Sequence, residues 1–569
     1  MRVVATAGHV DHGKSSLVMA LTGTNPDRWE EERRRGLTID LGFAHTTLAN
    51  GEDVSFIDVP GHVRFLRNML AGVGGVDACV FVVAATEGWK PQSEEHLRIL
   101  QLVGLRHGLV ALTKIDAVDD EWRALQEMDV RDRLVGSFLA DAPIIGVSAV
   151  TGDGMNDLLG GLQQLVAETP SAQDRRRPRL WVDRVFAAKG SGTVVTGTLT
   201  GGRLAVDQQV RAGAHTARVR AIQSHGAKAD TIGPGHRVAL NLAGVDHTDL
   251  VRGDAVIDPA QWRPTVRFDA TLDVLPTLDH DVSRRGAYFA YIGSGEFPVR
   301  LRVLGSEAIT PGGTGRVRVH LPAPLALVRG DRFVLRESGR DETVGGGEVL
   351  DVAPVLPASK AHPDHSIERV IAEHGWIDAA EFEALIGEHR EPTLEHWVVD
   401  PGALAATVHA VRARVEGAGD LGLDVAALDE RERATLGVID DVAVASGRAR
   451  IAAAPDPFAD HPFVAALLGG GFAPPDATGV DKAQLRELVR RRLVVERDGI
   501  VFHPAAIDDA ARKAAALLRA HPEGFTISQF REVLAITRKH AVPLAAELDA
   551  RGITRRRDDV RIAGPKLPA

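Results

Sequence analysis

The chain has 569 residues, of which 44% are hydrophobic and 25% charged, and its formal net charge is −10. That length suggests about three to five domains, and the acidic balance excludes a general polycation, so any nucleic-acid site must be a local patch. The lone cysteine, Cys79, excludes an intramolecular disulfide framework and a cysteine-rich metal centre and fits a reducing cytoplasm.

The first residues enter an apolar strand directly, without a secretory pattern, and no uncharged apolar run reaches the roughly 18 residues of a membrane span. The expectation is a cytoplasmic protein without a membrane partner. Over residues 1–174, "VVATAG", "VSFIDVPG", "CVFVVAAT", "LVALTKID" and "APIIGVSA" read as buried parallel strands. "GKSSLVMALTG" and "EEHLRILQLVGL" read as helices between them, which predicts an α/β domain. "DRRRPR" is a charged, proline-containing linker. Beyond it, β-branched alternation with glycine turns predicts two β-barrels, at 175–260 and 261–356. From 357 to 569 the texture is helical, and helices followed by a short hairpin predict tandem winged-helix repeats. Two repeats at the end are clear, the terminal one at about 505–565, and one or two weaker ones precede them.

The segment "GHVDHGKS" (8–15) fits the phosphate-loop pattern G-x-x-x-x-G-K-S/T between a strand and a helix. Gly8 and Gly13 let backbone N–H groups approach phosphate oxygens, and Gly8, His9, Val10, Asp11, His12, Gly13, Lys14, Ser15 and Ser16 form the candidate loop. Lys14 supplies positive charge, Ser15 offers a hydroxyl to Mg²⁺, and the following helix adds its positive end. "RRGLTID" (34–40) carries Thr38, whose hydroxyl completes a metal set with Ser15 and Asp58. In "DVPGH" (58–62), Asp58 holds a metal-bound water and the Gly61 N–H faces the γ-phosphate. In "TKID" (113–116), Asp116 accepts two hydrogen bonds that guanine supplies and adenine does not, and Lys114 lies along the base. Thr113 belongs to the same set, as do Ser148 and Ala149 of "VSA" (147–149), whose backbone meets guanine O6. All lie at the carboxyl ends of strands of a parallel sheet, where such folds bind ligands. The ordered set specifies GTP with Mg²⁺.

"GHVDHGK", "GLTID" and "DVPGH" resemble the translational GTPases of the elongation factor Tu family. The resemblance implies that His62 positions the attacking water and that Val10 and Ile39 form an apolar gate beside it. It also implies hydrolysis of GTP to GDP and phosphate, stimulated by the ribosome. The family has Asn where Thr113 stands, and Thr does not make the same reach to guanine N7.

"RLWVDRVFAAKGSGTVVTGTLTGG" (179–202) and "RGDRFVLRESGRDETVGGGEVLD" (329–351) resemble the start of the second domain and the end of the third domain of these factors, and "LWVDRVF" together with "GHRVALNLAGV" (235–245) narrows the resemblance to the selenocysteine-specific elongation factors. It implies an aminoacyl pocket at Asp183, Arg184 and Arg237, with selenocysteinyl-tRNA as cargo. The chemistry agrees, because a selenol ionises readily and guanidinium groups favour the resulting anion over neutral serine.

From Pro504 onward, twelve Lys or Arg stand against eight Asp or Glu, so this end is basic within an acidic chain. Arg538 and Lys539 open a predicted recognition helix, and Arg555, Arg556 and Arg557 sit where the wing turns. Two such clusters suit a nucleic-acid backbone, and the resemblance implies an mRNA insertion hairpin as the ligand. Pro543 about a turn into the helix predicts a kink or a later start. The whole reads as a monomeric factor that brings selenocysteinyl-tRNA to the ribosome at UGA codons marked by that hairpin. Two other readings stay open: an elongation factor for ordinary aminoacyl-tRNA, and a nucleic-acid-binding regulator switched by a GTPase.

Overall fold

The computed structural model describes residues 1–26, 38–62, 65–188, 192–452, 456 and 458–568, so positions 34–37 of "RRGLTID" lie outside the described residues. Two compact units divide the chain, Met1–Val398 and Val399–Ala569.

The first unit begins with strands β1 (Arg2–Ala7), β2 (Gly42–Thr47), β3 (Asp53–Asp58), β4 (Ala78–Ala84), β5 (Gly108–Thr113) and β6 (Ile144–Gly146), in sheet order β2-β3-β1-β4-β5-β6. The "ACVFVVA" of β4 is buried along its whole length, as a central strand covered on both faces must be. Helices α1 (Lys14–Thr22), α2 (Leu66–Val73), α3 (Pro91–Leu102), α4 (Asp120–Leu134) and α5 (Met155–Glu168) accompany the sheet, whose side chains join two separate apolar clusters. One strand departs from the all-parallel expectation: β2 runs antiparallel to β3 at the sheet edge. Its "GFAHTT" is too short and too mixed in polarity to read as a buried strand from sequence.

The two expected barrels follow. The first is a seven-stranded sheet closed on itself, including β7 (Arg179–Ala188), β8 (Gly192–Thr200), β9 (His215–Ser224) and β10 (His236–Ala243). The second is a closed six-stranded barrel between Thr265 and Asp351. Helices α6 (Ile367–His374) and α7 (Ala379–Ile386) place Val370, Ile371, Phe382 and Leu385 in one apolar cluster with Phe268 and Phe333 of that barrel. The "DRRRPR" linker is less solvated than its charge suggests. Arg177 is buried, its guanidinium lies 4.2 Å from the Trp262 ring centroid, and it donates to the Ala384 carbonyl near the C-terminus of α7. A cation there complements the partial negative charge of that helix end.

The second unit contains three groups of helices with short strands. The first is α8 (Pro401–Gly417) and α9 (Glu430–Thr435), with strands Leu423–Asp424, Val442–Ala445 and Arg448–Ile451. Its Ala-, Asp- and Arg-rich sequence does not by itself mark where these elements begin and end. The next is α10 (Pro462–Gly470) and α11 (Lys482–Arg490), with strands Val495–Arg497 and Ile500–Phe502. The last is α12 (Pro504–Ala520), α13 (Ile527–Leu534) and α14 (Arg538–Ala550), with strands Phe525–Thr526, Thr554–Arg557 and Val560–Ala563. Thr526 and Gln529 form a reciprocal capping box that starts α13. The helix α14 begins at Arg538 and runs through Pro543, so the later start expected at that proline does not occur. Pro543 forfeits one intrahelical bond, and it is buried beside Leu544 and Ala545 in the packed face, which offsets the loss. Among the described residues no helix is long and apolar enough to cross a membrane.

Candidate functional site

The loop after β1 is shaped by contacts that side chains would block. Gly8 has φ 134°, and a Cβ there would sit 2.1 Å from the Val82 carbonyl oxygen of β4. A Cβ on Gly61 would meet Lys14 Nζ at 2.4 Å and the Val10 backbone nitrogen at 2.5 Å, so "DVPGH" and the loop touch backbone to backbone. Lys14 Nζ donates to the carbonyls of Gly8 at 3.1 Å and His9 at 2.7 Å, which holds the ammonium over the loop.

Ser15, Thr38 and Asp58 lie within hydrogen-bonding reach of one another. Ser15 Oγ donates to Asp58 Oδ2 at 2.6 Å and lies 2.8 Å from Thr38 Oγ1, and Thr38 Oγ1 is 3.5 Å from the same carboxylate oxygen. Thr6, not foreseen from sequence, donates to Asp58 Oδ1 at 2.6 Å and orients the carboxylate from the side of β1. Burial pushes the fully buried Asp58 carboxyl up, against the charge of Lys14 and the hydrogen bonds from Ser15, Thr6 and Thr38. Two hydroxyls and a carboxylate within hydrogen-bonding distance are a hard-oxygen set that fits Mg²⁺, and such a cation would favour the ionised form of Asp58.

Two histidines of the loop, His9 and His12, and one from α3, His96, lie together here. Gly8 N–H donates to His96 Nδ1 at 3.1 Å, across 88 residues of sequence. His12 is buried with Nδ1 3.2 Å from the Val82 carbonyl, and its ring centroid lies 5.0 Å from that of His9. Burial pushes His96 down to about 3 and His12 down to about 4, and it lowers His9 as well. All three are therefore neutral at pH 7, and the positive charge facing a phosphate comes from Lys14. No local signal marks His96, because it approaches the loop only through the fold.

The residues expected to read the base lie at or just after the ends of β5 and β6. The Thr113 hydroxyl donates to the His12 carbonyl at 2.6 Å, so its side chain ties β5 to the phosphate loop. Lys114 adopts φ 58° and pairs with Glu87 at 3.4 Å. Asp116 lies exposed in the short turn that follows. Ser148 is buried and its Oγ accepts from Val150 and Thr151 N–H at 3.2 and 3.1 Å, while Ala149 and Ser16 are exposed. His62 follows Gly61 directly, its ring centroid 5.9 Å from that of Phe65. Half-buried Val10 and Ile39 occupy the same end of the sheet, the latter held through its carbonyl by Asn68 Nδ2 at 2.8 Å.

Asp183, Arg184 and Arg237 also come together. Asp183 is buried, accepts from Thr196 Oγ1 at 2.7 Å and pairs with Arg237, which also reaches Thr198 Oγ1 at 3.4 Å. Arg184 donates to the Leu41 carbonyl just before β2. Arg252, missed in sequence, donates to the Asp183 carbonyl, to Asn68 and to Asp40, lacing barrel to nucleotide domain.

In the second unit, a cleft of about 370 Å³ opens between α13, α14 and the last hairpin. Arg531, Arg538, Arg556 and Arg561 line it with Ser528 and Val542, whereas Lys539, Arg555 and Arg557 do not. The strand alternation explains the split, since Arg556 faces one side of the wing and its two neighbours the other.

A glycine-bearing loop, a buried carboxylate beside two hydroxyls and the "TKID" turn lie at the ends of one sheet, and two barrels follow. Residues 1–168 match the elongation factor Tu GTP binding domain family. Residues 286–355 match the β-barrel domain of selenocysteine-specific elongation factor, and 516–563 the winged helix of elongation factor SelB. The chain is 42% identical over 353 residues to a selenocysteine-specific elongation factor of Desulfomicrobium baculatum, covering 61% of this chain and 55% of that protein. It is 35% identical over 404 residues to the Escherichia coli protein of the same name, covering 67% of this chain and 62% of that one. These matches thus span somewhat over half the length of each relative. In fold, the chain is similar to a bacterial selenocysteine-specific elongation factor, with TM-score 0.76, 24% identity and 99% of both chains covered. A SelB structure from Methanococcus maripaludis in complex with a GTP analogue aligns with TM-score 0.53 and 23% identity over 62% of this chain and 80% of that one. In the segments these matches cover, the chain is similar to selenocysteine-specific elongation factors.

Proposed function

We propose that the protein is a GTP-dependent elongation factor that delivers selenocysteinyl-tRNA to the ribosome at UGA codons marked by an mRNA hairpin. The observation that carries this reading is the convergence of Arg184 and Arg237 with buried Asp183 on the first barrel, two guanidiniums suited to a selenolate. Lys14 and the loop N–H groups bind the phosphates, and Asp116 selects guanine. Ser15, Thr38 and Asp58 would hold Mg²⁺, which would supply positive charge to offset that of the nucleotide's phosphates. His62 orients a water toward the γ-phosphorus, and GDP and phosphate leave, with the ribosome stimulating the step. The basic cleft of the last repeat reads the hairpin, where splayed loop bases give a protein more to recognise than an A-form stem. The protein acts as a monomer in the cytoplasm. Binding of selenocysteinyl-tRNA and seryl-tRNA, with GTP and with GDP, tests the reading. Tight binding of the first only, and only with GTP, is expected; equal binding of both cargoes refutes it.

A further inference from the structure

The phosphate loop lies at the carboxyl ends of the parallel strands, and a different cleft opens at their amino ends. Asp77, just before β4, lines it, about 20 Å from the loop at 3.3 Å per residue along the strand. The cleft measures about 660 Å³ and lies between the nucleotide domain, the "DRRRPR" linker, both barrels and the end of α7. It shares Asp77, Arg179 and Asp331 with a neighbouring cavity of about 450 Å³. Arg177, Arg179 and Arg329 are in its wall, and four of their buried nitrogens have no acceptor: Nε and Nη1 of Arg177, Nε of Arg179 and Nη1 of Arg329. Arg177 is only 8% exposed, donates through Nη2 to the Ala384 carbonyl, and forms no ion pair among the described residues. The Trp262 ring centroid lies 4.2 Å from the guanidinium carbon of Arg177 and 4.9 Å from that of Arg179, which holds the two cations beside one another.

We propose that this cleft is a second anion site, separate from the nucleotide site, which takes a small phosphate-class oxyanion of pyrophosphate size or larger. The carboxylates in the wall are already engaged. Asp331 accepts from Arg179 at 2.6 and 2.7 Å and from Val328 N–H at 2.8 Å, and Glu348 pairs with Arg332 at 2.9 Å. Asp77 accepts from Val3 N–H at 2.8 Å, and Glu388 is exposed. What is left over is donors. Burial and neighbouring Arg179 push Arg177 down to about 10, with Asp331 and Glu383 opposing, so it keeps its charge at pH 7. A buried cation whose donors meet no acceptor is destabilising, and a bound anion removes that cost. Planar guanidiniums suit phosphate oxygens, and linked phosphates can reach three arginines where a single carboxylate cannot. The cleft exceeds the volume of one phosphate, and the depth of Arg177 suits a small ligand rather than an RNA backbone. Arg177 belongs to the linker, Arg179 to the first barrel and Arg329 to the second, so one ligand would tie three segments together and stabilise their arrangement.

The test is calorimetric titration of inorganic pyrophosphate into the full-length protein, saturated beforehand with GDP so that the nucleotide site is filled. Free Mg²⁺ and ionic strength are held constant, and Arg329→Gln and Arg177→Lys are compared with the wild type. Arg329→Gln removes a cation from a half-buried position, and Arg177→Lys keeps the charge but loses the planar fork. The wild type should bind one pyrophosphate per chain, saturating below about 1 mM. Each variant should bind it roughly tenfold more weakly or worse, the effect of losing a charge-assisted bond, while affinity for GDP stays at the wild-type value. Pyrophosphate should also raise the melting temperature of the wild type more than that of Arg329→Gln, a readout that does not need Arg177→Lys to fold. Absence of saturable binding to the wild type overturns the inference, and so does equal affinity in wild type and Arg329→Gln. Displacement of the bound pyrophosphate by tRNA assigns the donors to a nucleic-acid backbone and overturns it as well.

Discussion

Replacing Arg538 and Arg556 together with alanine should flatten the salt dependence of hairpin binding, whereas replacing Arg555 and Arg557 should leave it nearly unchanged. The pairs carry equal charge and differ in position: the first lines the basic cleft, the second lies outside its lining. Each phosphate neutralised by a cation contributes a slope of about −0.7 to −0.9 in log K against log salt. Losing two contacts removes about 1.4 to 1.8 from the slope. Between about 50 and 200 mM salt, a span of about 0.6 log units, the wild type should lose roughly seven- to twelvefold more affinity than the cleft variant. The assay is equilibrium binding of the full-length protein to the mRNA hairpin across a series of salt concentrations. If the slope tracks Arg555 and Arg557, the outer face of the wing is the contact surface and the cleft assignment is wrong. If neither pair moves the slope, the terminal repeat does not make the phosphate contacts.

Three further outcomes follow from particular geometries. Arg237→Ala should weaken selenocysteinyl-tRNA binding by about 1.5–3 kcal/mol, the range for a charge-assisted bond, with a smaller loss for seryl-tRNA; equal losses in a paired binding assay would count against the anion pocket. Gly61→Ala should reduce affinity for GTP at least about tenfold, because its Cβ would meet the Val10 backbone nitrogen at 2.5 Å, and calorimetric titration with a GTP analogue checks this. Buried Glu487 is held down to about 2, from an ordinary 4.5, chiefly by hydrogen bonds from Arg490, with Arg491 and Arg448 adding to it. A depressed carboxyl stabilises the fold above its unfolded pKa and loses that contribution as pH falls toward the folded value. Glu487→Gln should therefore cost about 2–3 kcal/mol in urea unfolding near neutral pH, with the gap to wild type narrowing as pH falls from about 5 toward 2.

The nucleotide site is readable along the chain because its residues come in short ordered runs, each at the end of an apolar strand. A backbone loop that cradles phosphate needs glycines at particular places, and that constraint is written locally in residues 8–15 and 58–62. Thr6 and His96 escape such a reading because nothing local distinguishes them: a strand threonine and a helix histidine gain their roles only when Asp58 and Gly8 arrive beside them. The basic end shows its charge in sequence but not its geometry. Three consecutive arginines look like one cluster, and strand alternation divides them between two faces. Arg177 looks like solvated linker and instead is buried beside Trp262 at a helix end.

By itself, the sequence determined the α/β, double-barrel and winged-helix succession and the placing of "GHVDHGKS", "DVPGH" and "TKID" at the ends of strands. These follow from periodicity and from local spacing, which chain neighbours carry. Only the tertiary structure decided that β2 is a strand, that its Phe43 stands against Arg184 and Arg237, and which terminal arginines share a cleft. The reason is sequence separation. Arg184 lies 141 positions from Phe43 and Arg237 lies 194, and no period along the chain encodes a contact made by packing one domain's edge strand against another's barrel.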